Sequence, residues 1–282
     1  MSSRAKIRLY VDHPLGAGQT VVLSRDQAHY LFGVMRLSQG AEVALFNGYD
    51  GEWTAEVAEA GKRGGVLECR EQAAAQMMPP DLWLIFAPIK KARTDFIVEK
   101  AAEMGAARII PVGTDFTNSE RVRQDRLQAH AVEAAEQCGG TYVPEVTDLQ
   151  KLSKLLEAWP ADRKLMFCDE AEAGARLALP VPGLTRDPDV QRKNPQPEVP
   201  DHVRDGEIVH IDSCPTYRRG ADSPKGSWAI LIGPEGGFSE AERTRLRSLP
   251  FTHAVSLGPR ILRADTAAVA AMTLWQQAFG DW

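Results

Sequence analysis

The sequence predicts an α/β protein, with a carboxy-terminal region built on a mainly parallel sheet and a small β-barrel ahead of it. Three observations predict this. Up to residue 76, short apolar runs recur between turn residues, which is the spacing of a small barrel. Met77-Met78-Pro79-Pro80 then forms a stiff break. Beyond it, strand-length apolar runs alternate with helical stripes, a rhythm that calls for parallel strands covered by helices. The expected division is 1–76 and 81–282.

The amino-terminal strands are read in IRLYV, TVVLS, AEVALFNG, GEWTAEVAEA and GGVLECR. One amphipathic segment, Gln27 to Leu37, interrupts them, and Asn47-Gly48 and Asp50-Gly51 are turn signals. After the break come the strand LWLIFAPI and a helix carrying Ile97, Ala101 and Met104, closed by Gly105. RIIPV is the next strand, and a helix from about Asp125 to Cys138 stops at Gly139-Gly140. VPEV, KLMFCDE, WAILIG and HAVSLG complete the strands. Between Leu179 and Gly206 the chain is rich in proline and poor in large apolar residues, so a flexible insertion is expected at about 180–205.

Composition narrows the classes of function. Of the 282 residues, 44% are hydrophobic and 25% charged, and no apolar run approaches the roughly 20 residues needed to cross a bilayer. No apolar stretch follows the positive charges of MSSRAKIRLYVDHP, so a cytoplasmic location without membrane attachment is expected. The four cysteines are far apart with no C-x-x-C, and the six histidines are scattered, so neither a disulfide frame nor a metal site is expected. Cys168, within KLMFCD, reads as core packing. A net charge of −5 argues against a broadly basic nucleic-acid coat and leaves room for focused contacts.

The chemistry concentrates in WAILIGPEGGFSEAE, where a buried strand runs into Gly233-Pro234-Glu235-Gly236-Gly237 and then into a capping box made by Ser239 and Glu242. A strand, a glycine-rich loop and a helix start in succession let backbone N–H groups meet a ligand. Neither G-x-G-x-x-G nor G-x-x-x-x-G-K-[ST] occurs there, and a plain turn explains the glycines about as well. The second junction, HAVSLGPRILRADTAAVAAM, ends a strand at Leu257-Gly258-Pro259, brackets Ile261-Leu262 with Arg260 and Arg263, and opens a helix whose Ala268, Met272, Trp275 and Phe279 form a core stripe. Two loops from the carboxyl ends of strands favour a ligand crevice, with main-chain groups to hold an adenine and Ile261 and Leu262 to cover it.

IGPEGGFSEAE followed by LGPRILRADTA resembles the paired carboxy-terminal motifs of the SPOUT (α/β-knot) methyltransferases. IKKARTDFIVEKAAEMGAARIIPV, AAEQCGGTYVPEV and HYLFGVMRLSQGAEVALFNG also look like segments of that family, so the resemblance covers nearly the whole chain apart from the proline-rich insertion. The family commonly reads R-T-E-T-A where this chain has Arg263-Ala264-Asp265-Thr266-Ala267, and Phe32 and Gly33 stand where an arginine and an asparagine are common.

The resemblance implies a trefoil-knotted carboxy-terminal domain, a PUA-like amino-terminal barrel, and an S-adenosylmethionine-dependent enzyme making N3-methyluridine in 16S rRNA of the small ribosomal subunit. It places the cofactor on Ile232, Gly233, Pro234, Glu235, Gly236, Leu257, Gly258, Ile261 and Leu262, with no metal. Glu235, Arg260 and Arg263 are the catalytic candidates: a carboxylate to manage the uracil N3 proton and arginines for charge on its oxygens. A loop-capping role for Glu235, and ion pairs or phosphate contacts for the arginines, remain open. Arg4, Lys6, Arg8, Arg36, Arg218 and Arg219 are the candidate RNA contacts, against the plainer reading of solvated charge. A homodimer is expected, because apolar residues lie on more than one side of the last helix at Ala267, Ala268, Ala271, Leu274, Trp275 and Phe279. Two alternatives stand beside this reading: a non-catalytic RNA-binding or ribosome-assembly factor with the same fold, and a methyltransferase of another RNA position.

Overall fold

The computed structural model describes residues 7–61, 63–118, 121–172 and 226–282. Arg4, Lys6, Arg218, Arg219 and the expected insertion at 180–205 lie outside the described residues. Strands β1 (Arg8–Tyr10), β2 (Thr20–Val22), β3 (Glu42–Phe46), β4 (Glu52–Gly61) and β5 (Gly64–Ala74) form one sheet in the order β1-β3-β4-β5-β2. β1 runs parallel to β3 and the other pairs are antiparallel. Three register shifts between β4 and β5 give the extra twist that curves the sheet around Leu9, Val21, Val43, Leu45, Val57 and Leu67. The Asn47 side chain accepts from the N–H groups of Tyr49 and Asp50, which closes the turn its sequence signals.

The expected amphipathic segment is a short helix, α1 (Arg25–Ala28), begun by a Ser24–Gln27 capping box and continued as a π-helix over His29–Val34. Phe32 packs against the barrel core over Gly65, where any Cβ would overlap its ring. That residue therefore serves packing.

The second sheet has seven strands. Its path is β12 (Thr252–Val255), β10 (Lys164–Cys168), β11 (Trp228–Ile232), β6 (Leu82–Phe86), β7 (Arg108–Gly113) and β8 (Glu145–Val146), with β9 (Gln150–Lys151) also on β7. Every pairing in it is parallel. Its central strands are apolar on both faces, as strands covered on both sides must be. One face carries α2 (Lys91–Glu103), α3 (Gln124–Cys138) and α6 (Ala264–Phe279) over a core that includes Ile97, Leu127, Met272 and Trp275. The other carries α4 (Leu152–Glu157) and α5 (Glu240–Ser248) over Leu156, Phe167, Phe238 and Leu246. α3 ends where expected, at Gly139, whose φ of 81° is the left-handed cap that glycine adopts without strain.

Two expectations need correction. One side of the apolar surface of α6 is expected to be left over for a partner, yet Ala267, Ala268, Ala271, Trp275 and Phe279 are all buried within the chain and only Leu274 of the six is half-buried, because α6 lies between α2 and β11. Arg8, expected to face RNA, points inward. Its side chain is only 10% exposed and is consumed by protein partners, since β1 packs against the carboxyl end of α3.

Candidate cofactor site

A cavity of about 190 Å³ opens at the carboxyl ends of β10, β11 and β12. It is lined by Ile232, Gly233, Pro234 and Glu235 after β11, by Leu257, Gly258, Arg260, Ile261, Leu262 and Arg263 after β12, and by Cys168, Asp169 and Glu170 at the end of β10. The sequence brings forward the first two groups. The third follows from strand order: β10 lies between β11 and β12, so its carboxyl end separates their two loops. The signal available in the sequence was an Asp-Glu pair placed directly after the apolar run KLMFC.

Gly236, expected to touch the cofactor, lies outside that lining and faces Phe116, whose Cβ is 3.3 Å from where a Cβ on residue 236 would be. The next glycine has a different task. Gly237 has a φ of 70°, and a Cβ there would fall inside the Glu170 carboxylate. Only glycine tolerates both conditions. Glu170 accepts from the Phe238 N–H at 3.4 Å and pairs with Arg243, so the end of β10 grips the glycine loop.

The carboxylates of this cavity are not equivalent. Asp169 is fully buried and pairs with Arg243 Nε at 3.0 Å and Arg247 Nη2 at 2.8 Å, both on α5. Burial alone would disfavour the charge on Arg243. The hydrogen bond to Asp169 and the charge of Glu170 outweigh it and raise the guanidinium above its usual range. Glu235 is exposed and has no ion pair among the described residues, as is also true of Arg260 and Arg263. Burial pushes the Cys168 thiol far up, so it serves as a wall of the cavity and not as a nucleophile.

The residues at which the chain departs from the R-T-E-T-A pattern separate cleanly. Ala264 is buried and lines the cavity, whereas Asp265 turns away to Arg93 on α2 at 3.6 Å and caps the Thr266 N–H at 2.9 Å. Ile261 lines the cavity and is 72% exposed, which marks the open side among the described residues. The remaining candidate RNA contact, Arg36, is exposed on the barrel with a φ of 56°.

Residues 76–181 and 205–276 match the family described as RNA methyltransferase domain, and residues 23–68 match RNA methyltransferase PUA domain. The chain is 26% identical to ribosomal RNA small subunit methyltransferase E of Rickettsia conorii, over 94% of this chain and 93% of the relative. It is 24% identical to the protein of that name from Bacillus subtilis, over 90% and 88%. Among solved structures it shares the fold of the Neisseria gonorrhoeae ribosomal RNA small subunit methyltransferase E bound to S-adenosyl methionine, with a TM-score of 0.75, 24% identity and coverage of 98% and 99%. A Legionella pneumophila protein in complex with the bound cofactor SAM superposes with a TM-score of 0.71 at 24% identity, over 98% and 99%.

Proposed function

The chain belongs to the RNA methyltransferase domain family, and from that premise we propose that it transfers the methyl group of S-adenosylmethionine to N3 of a uridine in 16S rRNA of the small ribosomal subunit. The observation that carries this reading is the cavity at the ends of β10, β11 and β12. It combines main-chain groups of a glycine loop with apolar walls from Leu257, Ile261 and Leu262, which suits an adenine-bearing ligand. The small-subunit substrate rests on the names of relatives aligned over nearly their whole length.

When bound, S-adenosylmethionine supplies an electrophilic sulfonium methyl group. The protein's part is to position the base and handle one proton, because uracil N3 loses its hydrogen on methylation. Asp169 and Glu170 are held by Arg243 and Arg247, which leaves Glu235 as the cavity carboxylate able to take that proton. Arg260 and Arg263 line the same cavity and would stabilise negative charge growing on the uracil oxygens. The division into a PUA-like barrel at 1–76 and a knotted catalytic domain at 81–282 belongs to the same reading, as does action in the cytoplasm. Assembly as a homodimer is supported by the open side of the cavity, where a second copy would cover Ile261.

The test is methyl transfer from labelled cofactor to small subunits lacking the modification, followed by nucleoside mass spectrometry. N3-methyluridine is the expected product. Cofactor binding without methylation of any RNA would leave a non-catalytic RNA-binding factor, and a different methylated nucleoside would move the target.

A further inference from the structure

Among the described residues, Arg8 makes more side-chain hydrogen bonds between the barrel and the second sheet's helices than any other. Its Nε donates to Glu52 Oε2 at 2.7 Å, and the guanidinium lies 4.5 Å from the centre of the Phe46 ring, both within the barrel. Its two terminal nitrogens cross to α3, donating to the carbonyl oxygens of Ala135 at 2.6 Å, Glu136 at 2.9 Å and Gly140 at 2.7 Å. These carbonyls lie at and just beyond the helix end, where oxygens lack intrahelical partners and the helix dipole favours a cation. Only a guanidinium offers a planar fork that serves a carboxylate and three carbonyls together; a lysine ammonium has three donors at one point.

Two more bonds grip the same region. The Tyr10 N–H donates to Glu136 Oε1 at 2.8 Å, and the Met77 N–H donates to Thr141 Oγ1 at 3.0 Å, so both β1 and the linker are fastened there. The chain ahead of α3 is tied to the cofactor loop. The Asp115 N–H donates to Glu242 Oε1 at 2.9 Å, and Ser239 Oγ bonds Asp115 Oδ2 at 2.5 Å, on the cap that follows the glycine loop. α3 itself has 15 residues, a rod of about 22 Å.

We propose that Arg8 is a positioning residue for RNA methylation, holding the amino-terminal barrel at a fixed reach from the methyl-transfer cavity. The proposal rests on the RNA methyltransferase reading above. Burying an arginine is a poor device for stability alone, since apolar residues of similar volume serve as well or better; with Glu52 balancing its charge inside the barrel, what its bonds to the three α3 carbonyls supply is one defined arrangement of barrel and helix. An RNA bound on the barrel then presents its target to the cavity without a search over relative orientations.

The test uses the full chain with Arg8→Lys and Arg8→Met, and Glu136→Gln as a milder second perturbation of the same joint. Hydrogen exchange at the Tyr10 and Met77 amides reports whether the joint opens. On small subunits, kcat/KM for the Arg8 variants falls by about tenfold to a hundredfold, the scale of a misplacement near 1 Å. S-adenosylmethionine affinity, and methylation of a short uridine oligonucleotide that cannot reach the barrel, stay at the wild-type level. An open joint with unchanged kcat/KM on small subunits would overturn the proposal. So would equal losses on both substrates and on the cofactor, which mark a merely structural role. If the wild type methylates no RNA, the underlying reading fails by itself; the joint is then judged by affinity for a 16S rRNA fragment, weakened in the variants if Arg8 positions the barrel and unchanged if it does not.

Discussion

Substituting alanine at Gly237 examines how the end of β10 shapes the cofactor loop. At a φ of 70° an alanine costs about 1–2 kcal/mol in backbone strain. Its Cβ would also occupy the space of the Glu170 carboxylate, so Glu170 must leave the Phe238 N–H and Arg243. Glu170 is partly exposed, which limits that loss to about 1 kcal/mol. The loop can escape the combined cost of roughly 2–3 kcal/mol by abandoning its present shape, at the expense of ligand binding. Affinity for S-adenosylmethionine, read by calorimetry, should therefore fall about thirtyfold or more. The melting temperature should change little, because β11 and α5 keep their own cores. In a Glu170→Ala background the collision is gone and only the backbone part of the Gly237→Ala penalty remains, so the double-mutant cycle shows coupling of about 1 kcal/mol. Wild-type affinity in Gly237→Ala, or an equal penalty in both backgrounds, would refute the reasoning.

Further outcomes follow from other parts of the structure. Burial raises the Glu136 carboxyl above its ordinary range, more than the Tyr10 N–H and Arg8 lower it, so its ionised form burdens the fold at neutral pH. A raised acid contributes its stability below the unfolded value and loses it as pH climbs through the folded one; Glu136→Gln should thus gain on wild type in denaturant titrations as pH rises and lose that advantage in acid. Arg163→Lys loses the bidentate pair with Asp81, the bond to the Trp228 carbonyl and the close Trp83 ring, and should cost about 2 kcal/mol, a fall in melting temperature of roughly 4–8 °C by calorimetry. In the native protein a thiol reagent followed by mass spectrometry should label exposed Cys138 and spare buried Cys69 and Cys168. Ile261→Asp should weaken S-adenosylmethionine binding without unfolding the chain, since the side chain is 72% exposed yet lines the cavity.

The parts legible in the sequence were those whose cause is local. The Ser239 capping box, the stop at Gly139, and the longer strands of both sheets depend on neighbours within a few residues, and periodicity reports them. Glu235, Arg260 and Arg263 were legible as a group for the same reason, each lying on a loop directly after an apolar strand. Strand order is not local, and it decided the rest. Because β10 stands between β11 and β12, Asp169 and Glu170 enter the cavity from a segment more than sixty residues earlier, and their arginines come from α5. Arg8 was misread on the same ground. A cation near the start of a chain looks like solvated or RNA-facing charge until α3 brings three carbonyls to it from more than 120 residues away. Charge type is written in the sequence, but the partner that decides whether a charge binds a ligand or holds the protein together is chosen by topology.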